Sequence, residues 1–341
     1  MIRVDIGVFA HNEAGNIVNT LRGLVKQETT GLDVRLLVLA NGCSDDTVKL
    51  ARAFAEMHHA ARPNMHVEVI ELVQGGKSRT WNRYVHELSR AEADILIFAD
   101  ADIELPLPDS FLRLVHRSHT NPELHAINSK PVKDIVYRPD NLGLKSKAIA
   151  MGSDTLNDWK TAICGQLYAM PADKARLIHI PVGLPVEDGF IRAMILTDSL
   201  TKDEDFSRID GDDVFHIFAS EKSILGLIRH QTRIVIGSAI NSAVFAHMAE
   251  IPSTERRAVL VEAAAQETWL YDVIRSRLPA WPFGWIPVHF LTKRVAYISR
   301  HPRKLLRPRQ LAVLFLGFGF DLVVYVNAQV KMARGVGAGY W

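Results

Sequence analysis

Apolar runs and polar loops alternate in a β-then-α rhythm through the first hundred residues. Met1–Phe9 reads as a buried strand, followed by His11-Asn12-Glu13-Ala14-Gly15-Asn16 and then by Ile17, Leu21, Leu24 and Val25 at helical spacing. Val34–Ala40 predicts a second strand ending in the turn-rich Asn41-Gly42-Cys43-Ser44-Asp45-Asp46-Thr47, ahead of a helix from Val48 to about His58. Val67–Leu72 reads as a third strand, Gly75-Gly76-Lys77-Ser78 opens a helix through Leu88, and Asp94–Ala99 is a fourth strand that ends in Asp100-Ala101-Asp102. Four such units predict an α/β fold with a largely parallel sheet. Ligands of such sheets lie at the carboxyl ends of the strands, where each of these polar motifs falls.

Beyond Pro108 the alternation fades. A helix over Ser110–Ser118 leads into an irregular stretch holding Cys164–Met170, Pro181–Pro185 and Glu187-Asp188-Gly189-Phe190. Residues 221–274 read as helical, and Pro279–Pro287 breaks the pattern as a linker or membrane-surface loop.

Composition adds limits. The chain has 341 residues, 48% hydrophobic and 23% charged, which excludes a disordered or fibrous protein and allows one to three domains. Two cysteines, Cys43 and Cys164, exclude a disulfide scaffold or a CxxC metal site and fit a reducing cytoplasm. Met1–Ala10 shows no secretory signal pattern, so a cytoplasmic location is expected. The net charge of +2 is uneven: Arg275–Trp341 holds eleven Lys/Arg and one acid (+10), leaving 29 basic and 37 acidic residues (−8) before it. Eleven of the 27 aromatics share that tail, which suggests a surface that meets something anionic.

Two acidic motifs are candidates for chemistry. Asp100 and Asp102 at the end of an apolar strand suit a hard divalent ion, Mn²⁺ or Mg²⁺, bridged to a diphosphate; the competing reading is a solvated acid-rich turn. Glu187-Asp188 follows a Pro- and Gly-rich loop, where one carboxylate can take a proton from an attacking hydroxyl, or the pair can cap the helix beginning at Gly189.

Taken in order, Ala10-His11-Asn12-Glu13, Asn41-Gly42-Cys43-Ser44-Asp45-Asp46-Thr47, Gly76-Lys77-Ser78, Asp100-Ala101-Asp102, Gly165-Gln166-Leu167-Tyr168 and Glu187-Asp188 resemble the family 2 glycosyltransferases, of GT-A fold, over residues 4–240. The resemblance implies an inverting transfer of one sugar from a nucleotide-sugar donor, UDP-linked by family usage, to a hydroxyl of an envelope or lipid-linked glycan. It implies that Ala10, His11, Asn12, Glu13 and Asn41 hold the nucleoside, with Asp45 and Asp46 near it and Lys77 at the phosphates. By the same likeness Asp100 and Asp102 hold the metal and diphosphate, and Gly165, Gln166 and Tyr168 line the acceptor site. Asp188, with Glu187 second, is the expected base. Two departures matter. Ala40-Asn41 stands where many relatives have two acids, the first of which reads uracil. His230-Gln231-Thr232-Arg233-Ile234 lacks the first residue and the tryptophan of the motif of processive synthases, which favours single addition.

Other residues carry open readings. Lys77 is a phosphate ligand or a solvated helix-start lysine. Arg229 and Arg233 meet the diphosphate or pair at the surface, His216 is a third metal ligand or a structural histidine, and Cys164 reads as buried rather than nucleophilic. Asp210-Gly211-Asp212-Asp213 reads as a turn rather than a calcium loop.

The expected organisation is a GT-A domain over 1–245, with a nucleotide-binding half 1–105 and an acceptor half 106–245, then a helical, basic and aromatic membrane-associating region over 246–341. Leu311–Val330 has nearly the length of a bilayer span, but Asp321 near its middle costs about 2.5–3.5 kcal/mol on insertion scales. Basic residues stand on both sides (Arg300, Arg303, Lys304, Arg307 and Arg309 before, Lys331 and Arg334 after), with Trp281, Phe283, Trp285 and Phe290 as interfacial anchors. This pattern favours monotopic attachment of 281–334 to an anionic membrane face; a C-terminal helix packed on the domain or in a homodimer is the other reading. No nucleic-acid partner is expected. A sugar nucleotidyltransferase and a non-catalytic glycan- or membrane-binding protein are the alternative functions.

Overall fold

The computed structural model describes residues 1–61, 65–139, 159–221, 223–279, 285–299 and 308–335. Seven strands form one sheet in the order β3-β2-β1-β4-β6-β5-β7. The strands are β1 (Ile2–Ala10), β2 (Leu32–Asn41), β3 (His66–Leu72), β4 (Ile95–Asp100), β5 (Ala126–Lys133), β6 (Leu167–Pro171) and β7 (Ile209–Phe218). β6 runs antiparallel to β4 and β5; all other pairs are parallel. The central strands are apolar along nearly their whole length because helices cover both faces, as in β1, buried from Val4 to Ala10. Asp5 is the exception inside β1, and the Arg90 guanidinium answers it at 2.7 Å.

Helices α1 (Ile17–Leu24), α2 (Thr47–Ala61) and α4 (Ser110–Thr120) cover one face. The other face packs α3 (Lys77–Arg83, continued by a π turn over Tyr84–Leu88) and α7 (Glu187–Leu196), and beyond them α8 (Ile224–Ala249). α5 (Asp134–Tyr137) and α6 (Ala172–Ala175) are single turns after β5 and β6. α9 (Arg256–Ala265), α10 (Trp269–Arg277), α11 (His289–Ser299) and α12 (Pro308–Ala333) complete the described chain. The apolar core runs without a break from the sheet through Ile240 and Met248 of α8 to Leu270 and Ile274 of α10 and to Val324 and Ala328 of α12. Residues 245 and 246 lie inside α8.

The expected turn at Asp210–Asp213 lies within β7. Arg117 of α4 pairs with Asp210, and Arg113 with Asp212 at 2.6 Å, so two cations on the covering helix allow an acid-rich segment to continue as a strand.

α12 carries two faces. Asp321, Val324, Ala328 and Met332 are buried against the body, while Phe315, Leu316, Leu322, Val323, Val326 and Val330 are exposed. Asp321 therefore lies on the protein-facing side, and the cost assigned to it in a bilayer does not apply to the exposed stripe. Tyr325 and Gln329 donate to the Ile286 carbonyl at 2.8 Å each, tying α12 to the segment before α11. Among the described residues Leu314–Ala333 is the one stretch long and apolar enough to cross a membrane, with mean hydropathy 1.2 and 17% of it buried. The anchors Trp281 and Phe283 and the cations Arg300, Arg303, Lys304 and Arg307 lie outside the described residues.

Candidate active site

All strands but β6 end at one edge, and β6 begins there, so Ala10, Asn41, Leu72, Asp100 and Leu167 line up along it. The chain order reverses at β1, whose neighbours are β2 on one side and β4 on the other, and a crevice opens at such a switch point.

The β1 and β2 loops form its donor side. His11 Nδ1 lies 2.6 Å from the Asn41 carbonyl, and Asn12, in the left-handed region at φ 55°, accepts a hydrogen bond from the Ser44 amide at 2.8 Å. Asp45 accepts from the Ala14 amide at 3.1 Å and from both the backbone and hydroxyl of Thr47. Slight desolvation would raise the Asp45 carboxyl, but these hydrogen bonds hold it below the ordinary value. Asp45 is thus a staple between two loops; Asp46, exposed just before α2, makes no comparable contact among the described residues. Thr47, which also accepts from the Glu13 amide at 2.7 Å, is a joining residue; it closes the second sequence motif, where no role was assigned to it. Gly42 has φ 56°, and a Cβ there would come within 2.9 Å of Gly75 Cα, so glycine is required where the β2 and β3 loops touch. Asn41 is fully buried, and neither its Oδ1 nor its Nδ2 has a hydrogen-bond partner among the described residues. A buried amide in that state is satisfied by an ordered water or by a ligand group. A surface cavity of about 480 Å³ beside Asp45, lined also by Cys43, Lys49, Arg52 and Glu71, includes none of Asp100, Asp102, Glu187 and Asp188.

Acids converge at the centre. Lys77, the first residue of α3, places Nζ 3.0 Å from Asp100 and 3.1 Å from Glu187. Burial alone would lower the Lys77 ammonium, but Asp100, Glu187 and Asp188 outweigh it and hold the group well above its ordinary pKa. Desolvation raises Asp100 to about 6, with Lys77 opposing and Asp102 adding to the rise. Asp102 is raised by burial and by Glu13, and Glu13 by burial. Two carboxylates at a strand end, with Lys77 the cation paired to Asp100, supply hard oxygen donors that fit a divalent cation keeping places for phosphate oxygens. Among the described residues no three His, Cys, Asp or Glu side chains form a complete ligand set, so Asp100 and Asp102 would be a partial one.

Glu187 and Asp188 are the first two residues of α7, and no side-chain cap hydrogen bond is made there. Glu187 is committed to Lys77. Asp188 Oδ1 is buried and has no partner among the described residues. Desolvation raises the Asp188 carboxyl to about 7, with Glu187 and Asp100 pushing it up and Lys77 and Arg233 pulling it down. Arg233, exposed on α8, is therefore electrostatically within reach of this carboxylate; Arg229 is exposed one turn earlier.

The loop before β6 closes the other side. Gly165 abuts Asp188, and the Gln166 carbonyl accepts from the Asp100 amide at 2.8 Å. Tyr168, expected in the acceptor site, is core instead: its ring stacks on Phe98 at 4.5 Å and its hydroxyl accepts from Trp81 Nε1 at 2.9 Å. Its position in β6 aims it at the face covered by α3. His216 is not a metal ligand here. It is fully buried in β7, with Nδ1 3.0 Å from Ser129 Oγ and Nε2 3.1 Å from Gln166 Oε1, and burial lowers it to about 3. This neutral chain orients the Gln166 amide. Burial pushes the Cys164 thiol up to about 12, the reverse of what a nucleophile needs.

The family model for glycosyl transferase family 2 matches residues 5–168. Among solved structures, the mannosyltransferase PcManGT from Pyrobaculum calidifontis, in complex with GDP-Man and Mn²⁺, aligns over 96% of this chain and 86% of that one at 19% identity and TM-score 0.52. The likeness shows the same GT-A fold. Glucosyl-3-phosphoglycerate synthase from Mycobacterium tuberculosis, in complex with Mn²⁺, UDP and glucosyl-3-phosphoglycerate, aligns over 70% of this chain and 78% of that one at 18% identity and TM-score 0.47. The search of curated proteins finds no match.

Proposed function

We propose, for a chain whose residues 5–168 make it a family 2 glycosyltransferase, that it moves a single sugar with inversion from a nucleotide-sugar donor to a hydroxyl of a lipid-linked or envelope glycan. The observation that carries this reading is Asp188: a half-buried residue whose buried Oδ1 has no hydrogen-bond partner among the described residues, at the sheet edge where Lys77 and Asp100 meet. A carboxylate raised to about 7 by desolvation is matched to accepting a hydroxyl proton near neutral pH. Glu187, held by Lys77, is the positioning residue of the pair.

The donor fits along the β1 and β2 ends. The unpartnered Asn41 amide offers one donor and one acceptor to a nucleobase edge, where a carboxylate would accept only. His11, Asn12 and Glu13 flank the nucleoside. Lys77, with Gly75 and Gly76 before it, turns to the diphosphate when the donor arrives. Asp100 and Asp102 would hold Mn²⁺ or Mg²⁺, which stabilises the charge growing on the leaving diphosphate. The Mn²⁺ in the PcManGT complex supports that choice. Gly165 and Gln166 lie on the acceptor side, next to the base.

The exposed stripe of α12, with the basic tail around it, supports monotopic attachment to the anionic inner face of the cell membrane. The deciding experiment is a nucleotide-sugar panel with and without Mn²⁺, read as nucleoside diphosphate release. Turnover of one donor that is lost in Asp188→Asn, with donor affinity kept, is expected. Asp188→Asn turning over normally would remove the assigned base.

A further inference from the structure

The sheet edge that holds the site continues past the acids to the ends of β5 and β7. The α5 turn follows β5 directly, and residues 219–223 link β7 to α8. These two segments are stapled together: the Asp134 carboxylate accepts from the Ser220 amide at 2.9 Å and from its hydroxyl at 2.6 Å. The Tyr137 ring also rests 5.8 Å from Phe215 of β7. Val136 and Tyr137 of the α5 turn are 57% and 43% exposed, and Ile224 and Leu225, which open α8 just after the second segment, are 67% and 66% exposed. Single exposed apolar residues are ordinary, whereas two exposed pairs on segments tied together by Asp134 and Ser220 give one end of the sheet an apolar surface.

Charge indicates what covers it. Leu225, Arg229 and Arg233 follow one another at i, i+4 and i+8, so apolar side chains stand at the tip of α8 and exposed guanidiniums one and two turns behind. The nearby acids are largely spent: Asp134 holds Ser220, and Glu104 is paired with Arg138, whose guanidinium lies over the Tyr137 ring. Among the described residues of these two segments, Glu221 is the exposed acid that remains. Apolar residues at a tip with arginines at a fixed depth behind match hydrocarbon below and lipid phosphate above. The same helix packs beside the proposed base: Asn241 of α8 donates to the carbonyl of Val186, two residues before Asp188, at 3.0 Å.

We propose that Val136, Tyr137, Ile224 and Leu225 form a second membrane contact, separate from α12, that seats the acceptor side of the site on an anionic bilayer. The acceptor hydroxyl then reaches Asp188 from the lipid side. This inference rests on the transferase reading for the identity of the cleft, but not for the contact itself.

The test uses the full chain with Leu225→Cys labelled by an environment-sensitive fluorophore, the parent chain labelled in parallel as background, and a Val326→Cys label on α12. On phosphatidylglycerol/phosphatidylcholine vesicles the label at 225 is expected to move into an apolar environment, and on pure phosphatidylcholine to stay in water. Ile224→Asp combined with Leu225→Asp is expected to weaken partitioning by about tenfold or more, with unchanged melting temperature and unchanged hydrolysis of whichever donor the nucleotide-sugar panel turns over. A label at 225 that stays in water while the one at 326 responds overturns the proposal and leaves the transferase reading intact. A response at 225 that needs protein concentration rather than vesicles assigns the patch to a second copy of the chain and overturns it as well. Vesicle insertion at 225 in a protein that turns over no nucleotide sugar supports the contact and sinks the transferase reading, so the two fail separately.

Discussion

Gly165 lies so close to Asp188 that a Cβ on residue 165 would fall 2.1 Å from Oδ1. Glycine here is a matter of space, because the obstacle is the carboxylate itself. Gly165→Ala should displace Asp188 and lower kcat about 100-fold, as misplacement near 1 Å can, with donor affinity unchanged in a titration of nucleoside diphosphate. A variant with normal kcat would show that Asp188 is not in its working position in this structure.

Asp188 also predicts two pH effects of opposite sense. As a base it works ionised, so kcat/KM should rise with pH and level off above about 7. Stability should run the other way: with the folded-state pKa above the unfolded value of 3.8, the folded chain binds more protons between those values, and stability falls as pH rises through that window. Asp188→Asn should therefore melt higher than the parent at pH 8 and no higher at pH 4, as thermal scans at the two values would show.

Lys77 neutralises Asp100 and Glu187, both largely buried. Lys77→Met leaves two carboxylates without their cation, a loss of about 3–5 kcal/mol for a broken buried pair. Mn²⁺ should restore more of that stability in the variant than it adds to the parent, because the metal supplies charge to Asp100 that Lys77 no longer does. Equal metal-induced shifts in both proteins would contradict the assignment of Asp100.

Tyr168 belongs to the core, so Tyr168→Phe should act on stability. Trp81 Nε1 would lose its acceptor, at a cost of about 1–3 kcal/mol, measurable by denaturant unfolding. The KM for acceptor should not move; a selective rise in it would return Tyr168 to the acceptor site.

Much of the frame was legible without coordinates. The apolar runs of β1, β2 and β4, each ending in a polar motif, announce parallel strands covered on both faces, and a parallel sheet necessarily collects those ends on one edge. His11, Asn41, Lys77 and Asp100 were findable for that reason. The resemblance ranked Asp188 ahead of Glu187 without a physical reason; Lys77, 110 positions away in sequence, supplies one by pairing with Glu187 while Asp188 Oδ1 is left without a partner among the described residues. Position in sequence did not show that Tyr168 points to the face filled by Trp81, that arginines of α4 straighten Asp210–Asp213 into a strand, or that Asp321 turns inward on α12. The periodicity of one segment decides its secondary structure and which residues share a face. Whether a charge there is paired, buried or left free depends on groups far away in sequence, because desolvation and Coulomb energy are set by neighbours in space.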